Sequence, residues 1–191
     1  MHAMPIATRL RQRLGANEAR FCLRANALCE RSAVQTGFAV VSRLGDGVFW
    51  YLLMAGFVVF GLLRGREAWG AGVAAHLAVT GVAALTLYKL LKRWTRRPRP
   101  GAADARIRAG VAPLDEFSFP SGHTLHAVAF TGVAIAHAPA LGWLLLPFAA
   151  GVAASRVVLG LHYPSDVLAA TGIGAALAWI SCLAFDRLLP V

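Results

Sequence analysis

The sequence predicts an all-α fold, an integral-membrane helical bundle of about five transmembrane helices with an amphipathic N-terminal segment. Three observations carry this prediction. Of the 191 residues, 58% are hydrophobic and the mean hydropathy is +0.60, too apolar for an ordinary soluble domain. Several long stretches contain almost no charge, and a spanning helix needs about 20 mostly apolar residues. The formal net charge of +10 gathers mainly in residues 9–43 and 89–108, both of which flank apolar runs. Flanking charge of this kind suits membrane topology and anionic headgroups better than a nucleic-acid backbone, so no nucleic-acid partner is expected. Cys22, Cys29 and Cys182 are too few and too scattered for a disulfide framework or a zinc site, and read as apolar-face residues.

Residues 1–45 form a basic N-terminal segment. Arg9, Arg11, Arg13, Arg20, Arg24 and Arg31 interrupt any apolar core that an export signal would need, so the segment is expected to stay attached. Ile6, Leu10 and Leu14, then Phe21, Leu23, Ala27 and Leu28, recur at roughly helical spacing. Two readings fit: one or two amphipathic helices on the membrane surface, or a loosely ordered basic tail. Residues 46–191 form the transmembrane domain. Its spans are expected at 48–63, 69–87, 141–154 and 167–185. A fifth, 125–138, is short and carries His126 and His137, a pattern shared with buried core helices, but its place between polar loops favours a span. Pro98, Pro100, Gly101 and Gly110 mark an irregular loop before it.

Three short polar blocks stand out against this apolar background. The first closes the second span, where Lys92 is followed by Arg99 beyond Pro98, whose ring stops the helix. A Lys on the helix end and an Arg in the turn can converge on one anion, the guanidinium offering a planar fork and the Lys a point charge. Ordinary basic flanking explains Lys89, Arg93, Arg96 and Arg97. The second block, Pro120-Ser121-Gly122-His123, has the grammar of a helix start: Ser121 is a good N-cap and Gly122 lets backbone approach a ligand. The exposed amides and helix dipole favour an anion there, with His123 in the first turn. His126, one turn on, reads as packing. In the third block Ser155 and Arg156 end an apolar helix, where a buried cation calls for an anion. His162 follows Gly160, and Pro164 opens the next helix with Asp166 in its first turn. Asp166 can reach back to His162, fix its tautomer and raise the basicity of the other nitrogen. Each block alone also fits a structural role in capping, packing or flanking.

Taken together, Lys-x6-Arg-Pro, Pro-Ser-Gly-His and Ser-Arg-x5-His-x3-Asp closely resemble the signature of the type 2 phosphatidic acid phosphatase family, whose superfamily also includes vanadium haloperoxidases. The match runs from Lys92 to Asp166 and is complete in all three elements. The resemblance implies a metal-independent lipid phosphatase with a phosphohistidine intermediate. By similarity His162 attacks phosphorus, Asp166 orients it and His123 protonates the leaving oxygen. Lys92, Arg99, Arg156, Ser121 and the amides near Gly122 would hold the phosphoryl oxygens.

No cofactor or metal is expected, since Asp104, Asp115, Glu116 and Asp166 are the only carboxylates in the stretch and form no cluster of the kind that holds magnesium. The expected partners are membrane lipids and a lipid phosphate substrate, either a prenyl diphosphate or a glycerolipid phosphate. An even number of spans between the blocks returns all three to one face. The Lys and Arg distribution places that face in the cytoplasm, whereas bacterial enzymes of the family commonly work on the outer face of the cytoplasmic membrane; both orientations stand at this point. Two alternatives accompany the phosphatase reading: a vanadate-dependent peroxidase on the same site, and a non-catalytic membrane protein binding anionic headgroups.

Overall fold

The computed structural model describes residues 6–188, with side chains from 15 to 185, and these residues are helical without any strand. The elements are α1 (Ile6–Ala27), α2 (Ser32–Leu44), α3 (Val48–Leu63), α4 (Glu67–Thr95), α5 (Pro100–Ala103), α6 (Gly122–His137), α7 (Gly142–Val158) and α8 (Pro164–Leu188). Three stretches among them are each long and apolar enough to cross a membrane, namely Glu67–Ala103, Pro139–Val158 and Pro164–Phe185; α2 and α3, bent by 48°, qualify together. The protein is therefore a multi-pass membrane protein, and the charge-poor runs seen in the sequence are its long helices.

The fifth expected span, 125–138, falls on α6. With 16 residues, α6 is about 24 Å long, close to the 17-residue α7 with which it packs. It lies at the centre of the bundle, packed on α4, α7 and α8. Leu125, Ala127, Ala129, Phe130, Val133 and Ala134 are all buried. The outer helices reverse this pattern. Val79 and Val82 on α4, Trp143 and Leu144 on α7, and Leu168 and Trp179 on α8 are all more than half exposed, as expected of surfaces that meet lipid rather than water.

Packing of α3 on α4 depends on two glycines. A Cβ on Gly70 would lie 2.5 Å from the Phe57 carbonyl oxygen and 3.1 Å from Gly61 Cα, so backbone meets backbone there. Below this contact Trp50 of α3 stacks towards Phe130 of α6, with ring centroids 5.0 Å apart, and Phe57, Leu77, Val133 and Val152 complete the core.

Helices α1 and α2 are both formed and lie against α7. Ile6, Leu10 and Leu14 fall outside the described side chains. Phe21 and, just past α1, Leu28 are 57% and 50% exposed, and the inward face of α1 is carried by Cys22, Leu23 and Asn26. Asn26 Nδ2 donates to the carbonyls of Arg108 (2.9 Å) and Val158 (3.1 Å), while its Oδ1 accepts from the Arg108 amide (2.9 Å). The N-terminal helices are thereby tied to the loop between α5 and α6 and to the end of α7. The starts of α3, α6 and α8 and the ends of α4 and α7 all gather at one end of the bundle. The polar blocks meet there.

Candidate active site

Lys92, Arg99, Gly122, His123, Arg156 and His162 line one cavity of about 850 Å³. Ser121 and Asp166 are fully buried behind its wall.

The first block converges as expected, but on an internal anion. Lys92 Nζ donates to Asp115 Oδ1 (2.5 Å) and to the Phe117 carbonyl (2.8 Å). Arg99 Nη2 donates to the same Asp115 oxygen (2.7 Å), its Nε to the Asp115 carbonyl (2.9 Å) and its Nη1 to the Leu161 carbonyl (2.7 Å). Burial raises the Asp115 carboxyl, yet Lys92 and Arg99 outweigh it and hold the group below the usual carboxylate range. Asp115 thus stays ionised between the two cations.

In the second block Ser121 caps α6 through its hydroxyl, which meets Thr124 Oγ1 at 2.9 Å, and the Ser121 amide donates to the Asp166 carbonyl (3.3 Å). Its contribution is to fix the helix start rather than to line the cavity. His123 meets the Asp46 carboxylate through Nε2. His126 sits between the Gly122 and Gly81 carbonyls, at 3.0 and 3.3 Å, consistent with packing.

Arg156 is 2% exposed and finds no carboxylate within ion-pair distance among the described residues. Its Nη1 donates to Ser42 Oγ, and its buried Nε has no acceptor among the described residues. The cation predicted to need an anion therefore keeps unused hydrogen-bonding capacity at the cavity wall. After α7 the chain turns through Gly160 at φ 70°, where a Cβ would lie 2.9 Å from the Arg108 carbonyl oxygen, so only glycine fits. That turn delivers His162.

The surroundings of His162 fix its tautomer. Nδ1 lies 2.6 Å from the Ser118 carbonyl, which can only accept, so Nδ1 carries the proton. Nε2 lies 3.5 Å from Arg99 Nη1, which can only donate, so Nε2 presents its lone pair. Asp166 Oδ2 is 3.6 Å from Nδ1, beyond hydrogen-bond range, and acts on the ring by charge alone. Burial pushes the imidazole down to about 4, which keeps it neutral. Asp166 is held by the Tyr163 amide on Oδ2 (2.9 Å) and by Arg97 Nη1 on Oδ1 (2.7 Å). Arg97 also donates to Ser165 Oγ (2.7 Å) and Glu18 Oε2 (2.8 Å), and its guanidinium lies 4.1 Å from the centre of the Tyr163 ring.

Six participants were not singled out from sequence: Glu18, Ser42, Asp46, Arg97, Asp115 and Ser118. Arg97 carried a signal, its position inside the first block, but it looks like any basic flank. Asp46 lies between two glycines at the mouth of an apolar run, which marks a turn and nothing more. Among the described residues no group of three or more His, Cys, Asp or Glu is placed to hold a metal ion.

Comparison with known proteins places the chain in a family. Residues 72–189 match the PAP2 superfamily. The decaprenylphosphoryl-5-phosphoribose phosphatase of Mycobacterium tuberculosis is 33% identical over 81% of this chain and 82% of its own length. The undecaprenyl-diphosphatase BcrC of Bacillus subtilis is 27% identical over 75% of this chain and 71% of its own length. Among solved structures, the transmembrane PAP2 type phosphatidylglycerolphosphate phosphatase of Bacillus subtilis superposes with a TM-score of 0.73, covering 92% of this chain and 87% of that one at 24% identity.

Proposed function

The chain belongs to the PAP2 superfamily, and from that premise we propose that it is a lipid phosphatase of a bacterial inner membrane, cleaving a prenyl diphosphate or a related lipid phosphate through a phosphohistidine at His162. The observation that carries the proposal is the His162 ring, with its proton held at Nδ1 by the Ser118 carbonyl and its Nε2 lone pair beside Arg99.

The chemistry follows from those contacts. Nε2 attacks phosphorus and an N–P bond forms. The P–O bond to the leaving group breaks with its electron pair on oxygen, and that oxygen takes a proton from His123. The positive charge now on the His162 ring is stabilised by the Ser118 carbonyl and by Asp166. Water then attacks the phosphohistidine and releases inorganic phosphate. Lys92, Arg99 and Arg156 balance the phosphoryl oxygens, the preorganised electrostatic stabilisation on which phosphoryl transfer mainly relies. Gly122 lets the first amides of α6 approach, and Ser121 and Asp166 support from behind the wall.

Two features favour a lipid as the carrier of the phosphate. The cavity continues from the cations past Trp50, Met54, Val82 and Leu85 between α3 and α4, an apolar path suited to a hydrocarbon tail. Two of the relatives are named for prenyl-carried phosphates, which puts the prenyl class first and glycerolipid phosphates second.

The test is phosphate release from micelles of undecaprenyl diphosphate, a prenyl monophosphate and phosphatidic acid. His162→Ala is expected to abolish release while the protein still inserts. A radiolabelled phosphate trapped on the wild type should be acid-labile and alkali-stable, and absent from the variant. Full activity in His162→Ala would sink the proposal.

A further inference from the structure

The turn between α2 and α3 enters the active-site cavity from outside residues 72–189, the part of the chain that carries the family match. With the last turn of α2 it brings two groups to the site. Ser42 accepts from Arg156, and Asp46 meets Nε2 of His123. The placement is enforced locally, since Gly47 adopts φ 127° and a Cβ on Gly45 would lie 3.1 Å from Val152. No other hydrogen bond of the His123 ring occurs among the described residues.

We propose that Asp46 is a positioning residue for proton donation: its carboxylate orients the His123 ring and favours its protonated form, so that His123 can deliver a proton to the leaving oxygen. The inference rests on His123 being the acid of the reaction proposed above. A general acid must carry a proton it can lose while its ring stays oriented. A carboxylate on one N–H meets both needs, as it balances the charge and fixes the ring. The local charges make such a partner necessary. Burial acts most strongly on the His123 ring and, with Arg156 and His126, keeps it below the ordinary imidazole range, so Asp46 is the group that favours the protonated ring against them. Asp46 is the carboxylate at hydrogen-bond distance.

The proton count is as follows. In the reacting form His123 carries protons on both nitrogens, the one on Nε2 held by Asp46. As the P–O bond breaks, the Nδ1 proton passes to the leaving oxygen, and the ring is left neutral with Nε2–H still on Asp46. Water attack on the phosphohistidine gives up a proton that can return to Nδ1, which restores the resting state.

A general acid typically contributes about 10²–10⁴ in rate, and the contribution vanishes when the leaving group needs no proton. The experiment therefore compares single-turnover release of the leaving group from dodecyl phosphate, whose alkoxide must be protonated, and from 4-nitrophenyl phosphate, whose phenolate leaves unaided. Asp46→Asn keeps the shape and an acceptor oxygen but removes the charge. It is expected to slow dodecyl phosphate by about tenfold or more and 4-nitrophenyl phosphate by less than about threefold, with Asp46→Glu restoring much of the loss. His123→Asn, run in parallel, should show the same leaving-group selectivity. If His123→Asn slows both substrates alike, His123 is not the acid and the inference falls with that reading. If His123→Asn is selective but Asp46→Asn slows both alike or neither, the role of Asp46 alone is overturned. Selective loss in Asp46→Glu equal to that in Asp46→Asn would also overturn it.

Discussion

Replacing Arg97 by methionine tests how the buried Asp166 carboxylate is held. Asp166 is fully buried, and its two oxygens are held by Arg97 Nη1 and by the Tyr163 amide. After Arg97→Met only the amide remains, so Oδ1 becomes a buried, unpaired anion. Breaking a buried ion pair from one side costs about 3–5 kcal/mol. The Arg97 side chain is 28% exposed, which lets water reach part of the gap and places the expected loss near the lower end, about 3 kcal/mol. For a chain of this size each kcal/mol lowers the melting temperature by about 2–4 °C, so a fall of about 6–12 °C is expected in detergent micelles. The double variant Arg97→Met/Asp166→Asn removes the orphaned charge as well, and should recover most of the stability while remaining catalytically poor. A melting temperature within about 2 °C of the wild type for Arg97→Met would refute the argument, as would a double variant no more stable than the single.

Three further outcomes follow from the site and the bundle. Because burial holds His162 at about 4 in the folded protein, against an ordinary imidazole near 6.5, its contribution to stability is fully present above pH 6.5 and is lost as pH falls towards 4; melts from pH 7 to 5 should fall less steeply in His162→Gln, and an unchanged slope would count against the neutral ring. Asp115→Asn frees the Lys92 and Arg99 donors now shared by one carboxylate oxygen, so inorganic phosphate should inhibit about tenfold more tightly, a change of about 1.4 kcal/mol; weaker inhibition would mean that Asp115 orders the cations rather than competing for them. Gly70→Ala would force a methyl group against the Phe57 carbonyl and should destabilise by about 1–3 kcal/mol, whereas Gly56→Ala, with nothing within 4 Å, should be neutral or stabilising; equal melting temperatures would show that α3 and α4 are free to separate.

The long helices were legible because lipid-facing and core residues are both apolar, so hydropathy alone marks α4, α7 and α8. The role of α6 was harder to read. Its composition is that of a span, and only packing on three neighbours makes it the central helix. On α1 and the turn after it the apolar spacing was only partly the packing face: Leu23 packs inward beside Cys22 and Asn26, whereas Phe21 and Leu28 are exposed. The same division holds in the site. Lys92, Arg99, His123, Arg156 and His162 were visible because each polar block is compact in sequence and sits among apolar residues. Their partners were not. Arg97 is 69 residues from Asp166 and Asp46 is 77 from His123, separations at which no local pattern operates. The tautomer of His162 was assigned to Asp166 on sequence spacing, whereas the Ser118 carbonyl, a backbone group with no sequence signature, performs it.

The carboxylates around the cavity differ in how freely they can leave. Asp166 is fully buried and fixed by Arg97 and the backbone. Asp46 sits on a turn whose conformation its flanking glycines dictate. Asp115 belongs to the loop between α5 and α6, its side chain is 37% exposed, and it shares a single oxygen between Lys92 and Arg99. Two carboxylates thus serve the two histidines, and the third, carried on a loop, keeps two of the three cations occupied. A phosphate dianion offers more acceptor oxygens and more charge than one carboxylate oxygen, so it can displace Asp115 while adding Arg156, which has no carboxylate partner of its own. Release of inorganic phosphate is the reverse exchange. A site that held three uncompensated arginine and lysine side chains would bind product as firmly as substrate, whereas a tethered carboxylate returning to Lys92 and Arg99 favours departure of the anion without weakening the groups that act in the transition state.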